Sequence, residues 1–376
     1  MCAFWTFTIP KNESARSMPE RPSLILHIGT PKTGTTSFQR WCAENREPLK
    51  ARNLQYPETT GAINHYSLMV LSSRKIPKDP IFRKHKVDSP ETQAAFRERI
   101  RTALKAEIAG SDCTRFLISN EHLWSRLGGQ ADIRALKDFL SEMFGRIDVV
   151  VHLRPQIDLI VSNSSQAIRM GKPVDSSYFQ RTAVGERSRF FNYDDRVGLW
   201  EGVFGEDRVH PVPFRLSPDI RTAIFRRFDV DDTDLSDVPR TNEAMGWRTI
   251  ALGNALIATG LVQELGLKKT YADILAAMPK SEPVQVGLGV ARAVQDRFAE
   301  SNARLIARRP DLDEGSLDPD WARYDGPANI GRIDDAAVLD AEIAAALRVL
   351  AAQPKKKTPG GQVGQAISRK LKRLGR

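Results

Sequence analysis

The sequence predicts an α/β protein with a mainly parallel sheet flanked by helices, continued by a helical C-terminal part. Three observations carry that expectation. Short apolar runs at residues 24–28 (LILHI), 115–119 (RFLIS) and 147–153 (IDVVVHL) have the length and composition of strands buried on both faces. Helical spacing of apolar residues fills the stretches between them. Beyond about residue 245 the spacing is helical throughout.

The first run is the best defined. It breaks at Gly29-Thr30-Pro31, passes Lys32-Thr33-Gly34-Thr35-Thr36-Ser37, and enters a helical segment carrying Phe38, Trp41 and Cys42. A strand, a glycine-bearing loop and a helix N-terminus in succession aim backbone N–H groups and the positive end of a helix dipole at one spot, which suits a phosphate. The loop departs from the nucleoside triphosphatase pattern G-x-x-x-x-G-K-[ST] in one instructive respect. Gly29 and Gly34 keep the spacing and Thr36 keeps the hydroxyl, but Thr35 fills the lysine slot and the loop's only lysine is Lys32. A cation moved into the loop cannot reach the same atom, so the ligand differs at its reactive end. The alternative is a tight strand-to-helix turn with a surface lysine.

The segment PKTGTT, Pro31 to Thr36, resembles the 5′-phosphosulfate loop PK[ST]GTT of the sulfotransferase superfamily and matches it at every position. That resemblance implies 3′-phosphoadenosine 5′-phosphosulfate as co-substrate. Its 5′ end would be held by Pro31, Lys32, Thr33, Gly34, Thr35, Thr36 and Ser37. Lys32 would also offset the charge growing on the leaving phosphate. No metal is expected, because protein charges hold a single-phosphate leaving group.

Further along, the first helix is expected to run towards Arg52, with a short strand at 54–57 and a helical pattern within 61–78. His65 reads as structural. Residues 77–90 read as an exposed loop, a candidate lid, and 92–109 as an amphipathic helix with Phe96, Ile100, Leu104 and Ile108 on one face. The run 115–119 ends in Asn120-Glu121-His122, and ligands of open α/β sheets collect beyond the carboxyl ends of strands. Either Glu121 or His122 could serve as the base that sulfuryl transfer requires. The resemblance implies a glutamate or histidine at this place, with Glu121 preferred. The metal-binding aspartate of a nucleoside triphosphatase is missing here, since the strand ends in Ser119-Asn120.

Residues 131–144 read as a helix closed by Gly145 in a left-handed cap. The strand 147–153 stops at Arg154, because a residue before proline is kept extended. A helix over 158–170 then carries Ser162 in its early turns. A guanidinium and a hydroxyl at one sheet edge suit a phosphate monoester. The resemblance implies that Arg154, with Ser162 eight residues later, holds the 3′-phosphate. Ser164 and Ser165 compete with Ser162. Residues 169–193, rich in basic, hydroxyl and aromatic side chains including Arg187 and Arg189, are a candidate acceptor-binding segment or, equally, a solvated insertion. A helix ending at Phe204-Gly205 and an edge strand at 209–214 complete the sheet; the prolines argue for the edge. Asn242-Glu243 resembles an asparagine that follows the core in bacterial members.

The C-terminal part reads as helices at 250–265, 271–278, 286–308 and 335–350, with a loop over 311–331 and no metal or nucleophile constellation. Residues 353–376 read as a basic linker and an amphipathic tail with Val363, Ile367, Leu371 and Leu374 on one face. Such a tail suits peripheral contact with an anionic membrane. A solvated basic tail is the equal alternative.

The 376 residues carry a net charge of +10, but 354–376 hold eight basic side chains and no acid, leaving about +2 elsewhere. That excludes a nucleic-acid-sized basic surface, so no specific nucleic-acid partner is expected. Three cysteines without paired spacing fit a reducing compartment. The expectation is a disordered extension over 1–17, one sulfotransferase-like domain over 18–352, and the tail over 353–376. The function expected is cytoplasmic sulfuryl transfer to a hydroxyl or amine of a small-molecule or glycan acceptor. The bacterial resemblance favours a carbohydrate or glycolipid. The alternatives are a magnesium-dependent kinase or nucleoside triphosphatase with an aberrant loop, and a non-catalytic membrane-associated binding protein. The sequence is silent on oligomeric state.

Overall fold

The sheet is built around β1 (Ser23–His27), whose neighbours are β2 (Arg115–Ser119) on one side and β3 (Arg146–Leu153) on the other. With β4 (Val209–Pro213) at the far edge, the order is β2-β1-β3-β4 and every pairing is parallel. The computed structural model describes residues 21–184, 188–215, 219–235, 244–258, 268–278 and 280–335. The extension over 1–17, the pair Asn242-Glu243, the helix expected over 335–350 (beyond Asp335) and the tail over 353–376 lie outside the described residues, as does Arg187.

Alternation along the strands divides the core. Leu24, Leu26, Phe116, Ile118, Val149 and Val151 face one layer, while Ile25, Leu117 and Val150 face the other. The chain leaves β1 for β2 on one side and then crosses to β3 on the other. The strand order therefore reverses between β1 and β3, and a crevice opens beyond their carboxyl ends.

The second layer holds α1 (Thr35–Glu44) and α2 (Arg46–Ala51), which are two helices rather than one run. The break is at Asn45, whose side chain bonds back to the Trp41 carbonyl at 2.9 Å. Residues 54–57 do not form a strand; only Gln55 pairs, as a single parallel bridge to Phe116 at the β2 edge. In the first layer, α3 (Tyr66–Ser72) is followed by α4 (Pro80–Lys84) and α5 (Pro90–Ala109). The stretch 77–90 is therefore not an exposed lid. Asp79 caps α4 through the Ile81 N–H at 2.8 Å, and Phe82 and Val87 anchor the segment in the core. Helix α5 opens with a capping box between Ser89 and Thr92 and buries Phe96, Ile100 and Leu104, each worth about 1.5–3 kcal/mol.

After β2 come α6 (Glu121–Arg126) and α7 (Gln130–Ser141). Gly145 does not adopt the expected left-handed conformation. Its N–H donates to the Pro22 carbonyl at 3.0 Å, and a Cβ there would lie 3.2 Å from the Arg21 carbonyl oxygen, so close backbone approach favours glycine. Helix α8 (Gln156–Arg169) follows β3. Residues 169–193 are neither one loop nor a solvated insertion: α9 (Tyr178–Thr182) and α10 (Ser188–Phe191) form there, and Tyr178, Phe179, Phe191 and Tyr193 are buried. Then α11 (Tyr193–Phe204) stops at Gly205, whose φ of 99° only glycine adopts freely. Helix α12 (Ile220–Arg227) returns to the α1 side.

The helix at Ala299–Arg308 joins the first layer through Leu305, while α13 (Trp247–Ala258) and the helices at Lys268–Ala277 and Leu288–Gln295 pack a further core. That core includes Ile157, Leu159, Ile160 and Ile168 of α8, so the C-terminal part buttresses the helix that follows β3. At the closest approach a Cβ on Gly253 would lie 2.5 Å from Ile168 Cγ2. Among the described residues no helix is long and apolar enough to cross a membrane.

Candidate functional site

The crevice between β1 and β3 is a cleft of about 1150 Å³. Its floor is the loop between β1 and α1. The two loop glycines are needed for different reasons. A Cβ on Gly29 would lie 2.6 Å from His27 Nε2, whereas Gly34 faces open space but has φ 92°. Thr30 ties the loop to β3 through its N–H and its hydroxyl, both donating to the His152 carbonyl at 3.2 and 2.9 Å. Thr33 is buried and donates to the Thr30 carbonyl at 2.7 Å. No side chain caps α1, so its first turn, Thr35 to Ser37, opens on the cleft with the uncapped positive end of a helix.

Lys32 sits at φ 69°, a left-handed conformation that costs an L-residue roughly 1–2 kcal/mol. Its carbonyl is gripped by Arg154 Nη1 at 2.6 Å, and its amine donates to Gln166 Oε1 at 3.3 Å. The amine is pushed down to about 8, first by burial, then by the nearby charges of Arg169 and Arg154, with Glu121 opposing. Arg154 is also held below its ordinary value by burial, and its buried Nε has no hydrogen-bond partner among the described residues. Tyr193 donates to the Arg154 carbonyl, and the guanidinium stands 5.4 Å from the Phe214 ring centroid. Concentrated positive charge that opposes its own protonation is an arrangement chemically suited to an anion.

One wall is α8. Ser162, Gln166 and Arg169 recur at helical spacing on the face that lines the cleft. Of the competing serines, Ser164 is turned away from the cleft and donates to the Val161 carbonyl at 2.6 Å, whereas Ser165 lines the cleft with Ser162 and accepts from the Met245 N–H at 3.1 Å. Among the described residues of 169–193, Arg169 alone lines the cleft.

Glu121 and His122, at the start of α6, form the opposite wall. Glu121 Oε2 accepts from Gln39 Nε2 at 2.9 Å and from Asn64 Nδ2 at 3.1 Å. Gln39 also donates to the Ser119 carbonyl and hydroxyl at 3.3 Å. Burial lowers the His122 pKa, with Arg126 adding to the effect and Glu121 and Asp79 opposing it. His65 is buried, and its two ring nitrogens bond to Ser119 and Pro57, so its role is structural.

The sequence-derived candidates Pro31, Lys32, Thr33, Gly34, Thr35, Thr36, Ser37, Glu121, His122, Arg154 and Ser162 all line this one cleft. Gln166 and Arg169 on its walls were not singled out as site residues, Arg169 being read only at the head of the candidate acceptor-binding segment; Phe214 and Ile220 on the walls, and Gln39 and Asn64 behind Glu121, were missed. The polar stripe along α8 was a readable signal for the first two; nothing local marks the others. Trp41, read only as a helical apolar residue, presents an aromatic surface to the cleft, with the Arg221 guanidinium 5.2 Å from its ring centroid. The volume and the mixed aromatic and cationic lining suit a nucleotide-sized anion.

No protein-family model matches the chain, and no curated protein matches it. Two solved structures align with it. One is a sulfotransferase from Alicyclobacillus acidocaldarius, at 13% identity over 65% of this chain and 96% of that one, with a TM-score of 0.36. The other is the sulfotransferase domain of the Synechococcus PCC 7002 olefin synthase, at 14% identity over 74% of this chain and 96% of that one, with a TM-score of 0.35.

Proposed function

We propose that the protein transfers a sulfuryl group from 3′-phosphoadenosine 5′-phosphosulfate to a hydroxyl or amine of a small-molecule or glycan acceptor. The observation that carries the reading is the convergence of Lys32, Arg154 and the uncapped α1 N-terminus on one cleft. A doubly phosphorylated nucleoside has an anion for each end of that arrangement. The loop and α1 would take the 5′ end, Arg154 and Ser162 the 3′-phosphate, and Trp41 and Phe214 offer surface to the base.

In the reaction, Glu121 accepts the proton of the acceptor as its oxygen or nitrogen attacks sulfur. The bond between sulfur and the 5′-phosphate oxygen breaks, and its electron pair leaves on that oxygen as adenosine 3′,5′-bisphosphate. Lys32 offsets the charge that develops there, which matters more in a closed cleft than in water. Glu121 is better suited than His122 to act as base. Gln39 and Asn64 both bond to Oε2, and among the described residues no hydrogen bond reaches Oε1.

The test is labelled sulfuryl transfer from the donor to a panel of hydroxyl and amine acceptors. Lys32→Ala is expected to lower turnover by about 10²–10³-fold, the scale of losing one transition-state donor. Near-normal turnover in that variant would overturn the role given to Lys32.

A further inference from the structure

Resting on that reading, a second chain of contacts behind the cleft decides which acceptor atom the site is built for. Asp79, the residue that caps α4, accepts from Arg126 Nη1 at 2.6 Å. Arg126, at the last turn of α6, turns its Nε–H onto His122 Nδ1 at 3.2 Å. A guanidinium has no acceptor, so this nitrogen of His122 must be the unprotonated one. The neutral ring then carries its proton on Nε2, which stands 3.8 Å from Glu121 Oε1 in the same cleft. Behind Glu121, Gln39 and Asn64 saturate Oε2. The pair therefore presents one proton acceptor, Glu121 Oε1, and one proton donor, His122 Nε2–H, side by side.

We propose that the Asp79–Arg126 ion pair is a positioning device that fixes His122 as an Nε2–H donor, so that Glu121 and His122 together select a hydroxyl acceptor. A hydroxyl both donates and accepts: its proton goes to Glu121 Oε1 and a lone pair takes the His122 N–H. An alkylammonium has no lone pair to offer that N–H, and is disfavoured. Arg126 and Asp79 act through His122 and are positioning residues. The groups facing His122 are Glu121 and Arg126 on α6, Asp79 ahead of α4, and Tyr66 on α3, whose ring centroid is 5.0 Å away. Removing Arg126 takes away the one cation among them and leaves Asp79 unpaired, so His122 protonates more readily. His122⁺ beside Glu121 then ties up the base.

The experiment is imidazole nitrogen and carbon NMR on the intact protein, with the His122 signals assigned by His122→Gln. In the wild type we expect His122 to be neutral and protonated on Nε2 at pH 7. Arg126→Met should raise the His122 titration above that of the wild type, because Asp79 and Glu121 then face the ring without the opposing cation, whereas Arg126→Lys, whose ammonium still donates to Nδ1, should keep the wild-type tautomer. In transfer assays, Arg126→Met should lose about tenfold in rate one pH unit below the new His122 pKa and recover above it, with unchanged affinity for adenosine 3′,5′-bisphosphate. A wild-type ring protonated on Nδ1, or cationic at pH 7, overturns the inference without needing any variant to fold. Transfer to amines matching that to hydroxyls overturns the selectivity. A correct tautomer with no transfer to any acceptor would sustain the positioning of His122 and refute the sulfuryl-transfer reading instead.

Discussion

Lys32 concentrates the physics of the site in one residue. Its amine is held at about 8 because burial and the charges of Arg169 and Arg154 oppose a further positive charge. The sign of the consequence follows. Below pH 8 the amine of the free protein is charged and ready for an anion; above it, the proton is lost and must be taken up on binding. Affinity for adenosine 3′,5′-bisphosphate should thus fall as pH rises from about 8 towards 10, by at most about tenfold per unit, with proton uptake visible as buffer-dependent heat in calorimetry. A pH-independent affinity over that range would contradict it. The same residue stores backbone strain at φ 69°. Lys32→Gly should be more stable than Lys32→Ala by roughly 1 kcal/mol in chemical denaturation while being equally inactive, which separates the conformation from the charge. An equal stability of the two variants would place the strain elsewhere. The amine was legible in the sequence, because a lysine displaced from its usual slot stands out in a glycine loop. The companions Gln39 and Asn64 were not, since a glutamine inside a helix and an asparagine in a loop carry no spacing that marks them; only folding brings both to Glu121.

At the level of elements, the strands were legible because a run such as IDVVVHL is too apolar and too β-branched for anything but a buried strand. The boundaries of helices were less so. Asn45 splits a run whose periodicity continues through it, and Phe82 and Val87 draw in a proline-bearing, charged stretch that reads as surface. The element that matters most for the site is α8. One face carries Ser162, Gln166 and Arg169 into the cleft, and the other carries Ile157, Leu159, Ile160 and Ile168 into a core shared with α13. Gly253 lets α13 approach, and Tyr271 donates to the Ile168 carbonyl at 2.7 Å. Gly253→Ala should force the two helices apart, cost about 1–3 kcal/mol of stability, and weaken bisphosphate binding although it touches no cleft residue. Binding that stays at the wild-type level in a measurably destabilised Gly253→Ala protein would show that α8 is not held from behind.

Across the whole molecule, the division of labour runs along the strand order. Parallel pairing forces every β-to-α connection that carries chemistry onto one edge, so residues 122 positions apart, Lys32 and Arg154, meet at 2.6 Å through a backbone carbonyl. No local pattern contains that meeting; the reversal between β1 and β3 produces it. The central claim is that this meeting point is shaped for a nucleoside bearing separate 3′ and 5′ phosphates rather than for a triphosphate with magnesium. Calorimetric titration tests it most directly, with adenosine 3′,5′-bisphosphate in excess EDTA set against ATP with magnesium, on the wild type and on Arg154→Ala. The account predicts that the bisphosphate binds without metal and at least tenfold more tightly than ATP, and that Arg154→Ala removes most of that preference, the scale of a lost charged hydrogen bond being about 1.5–3 kcal/mol. Tighter binding of ATP, dependent on magnesium and indifferent to Arg154, would contradict it.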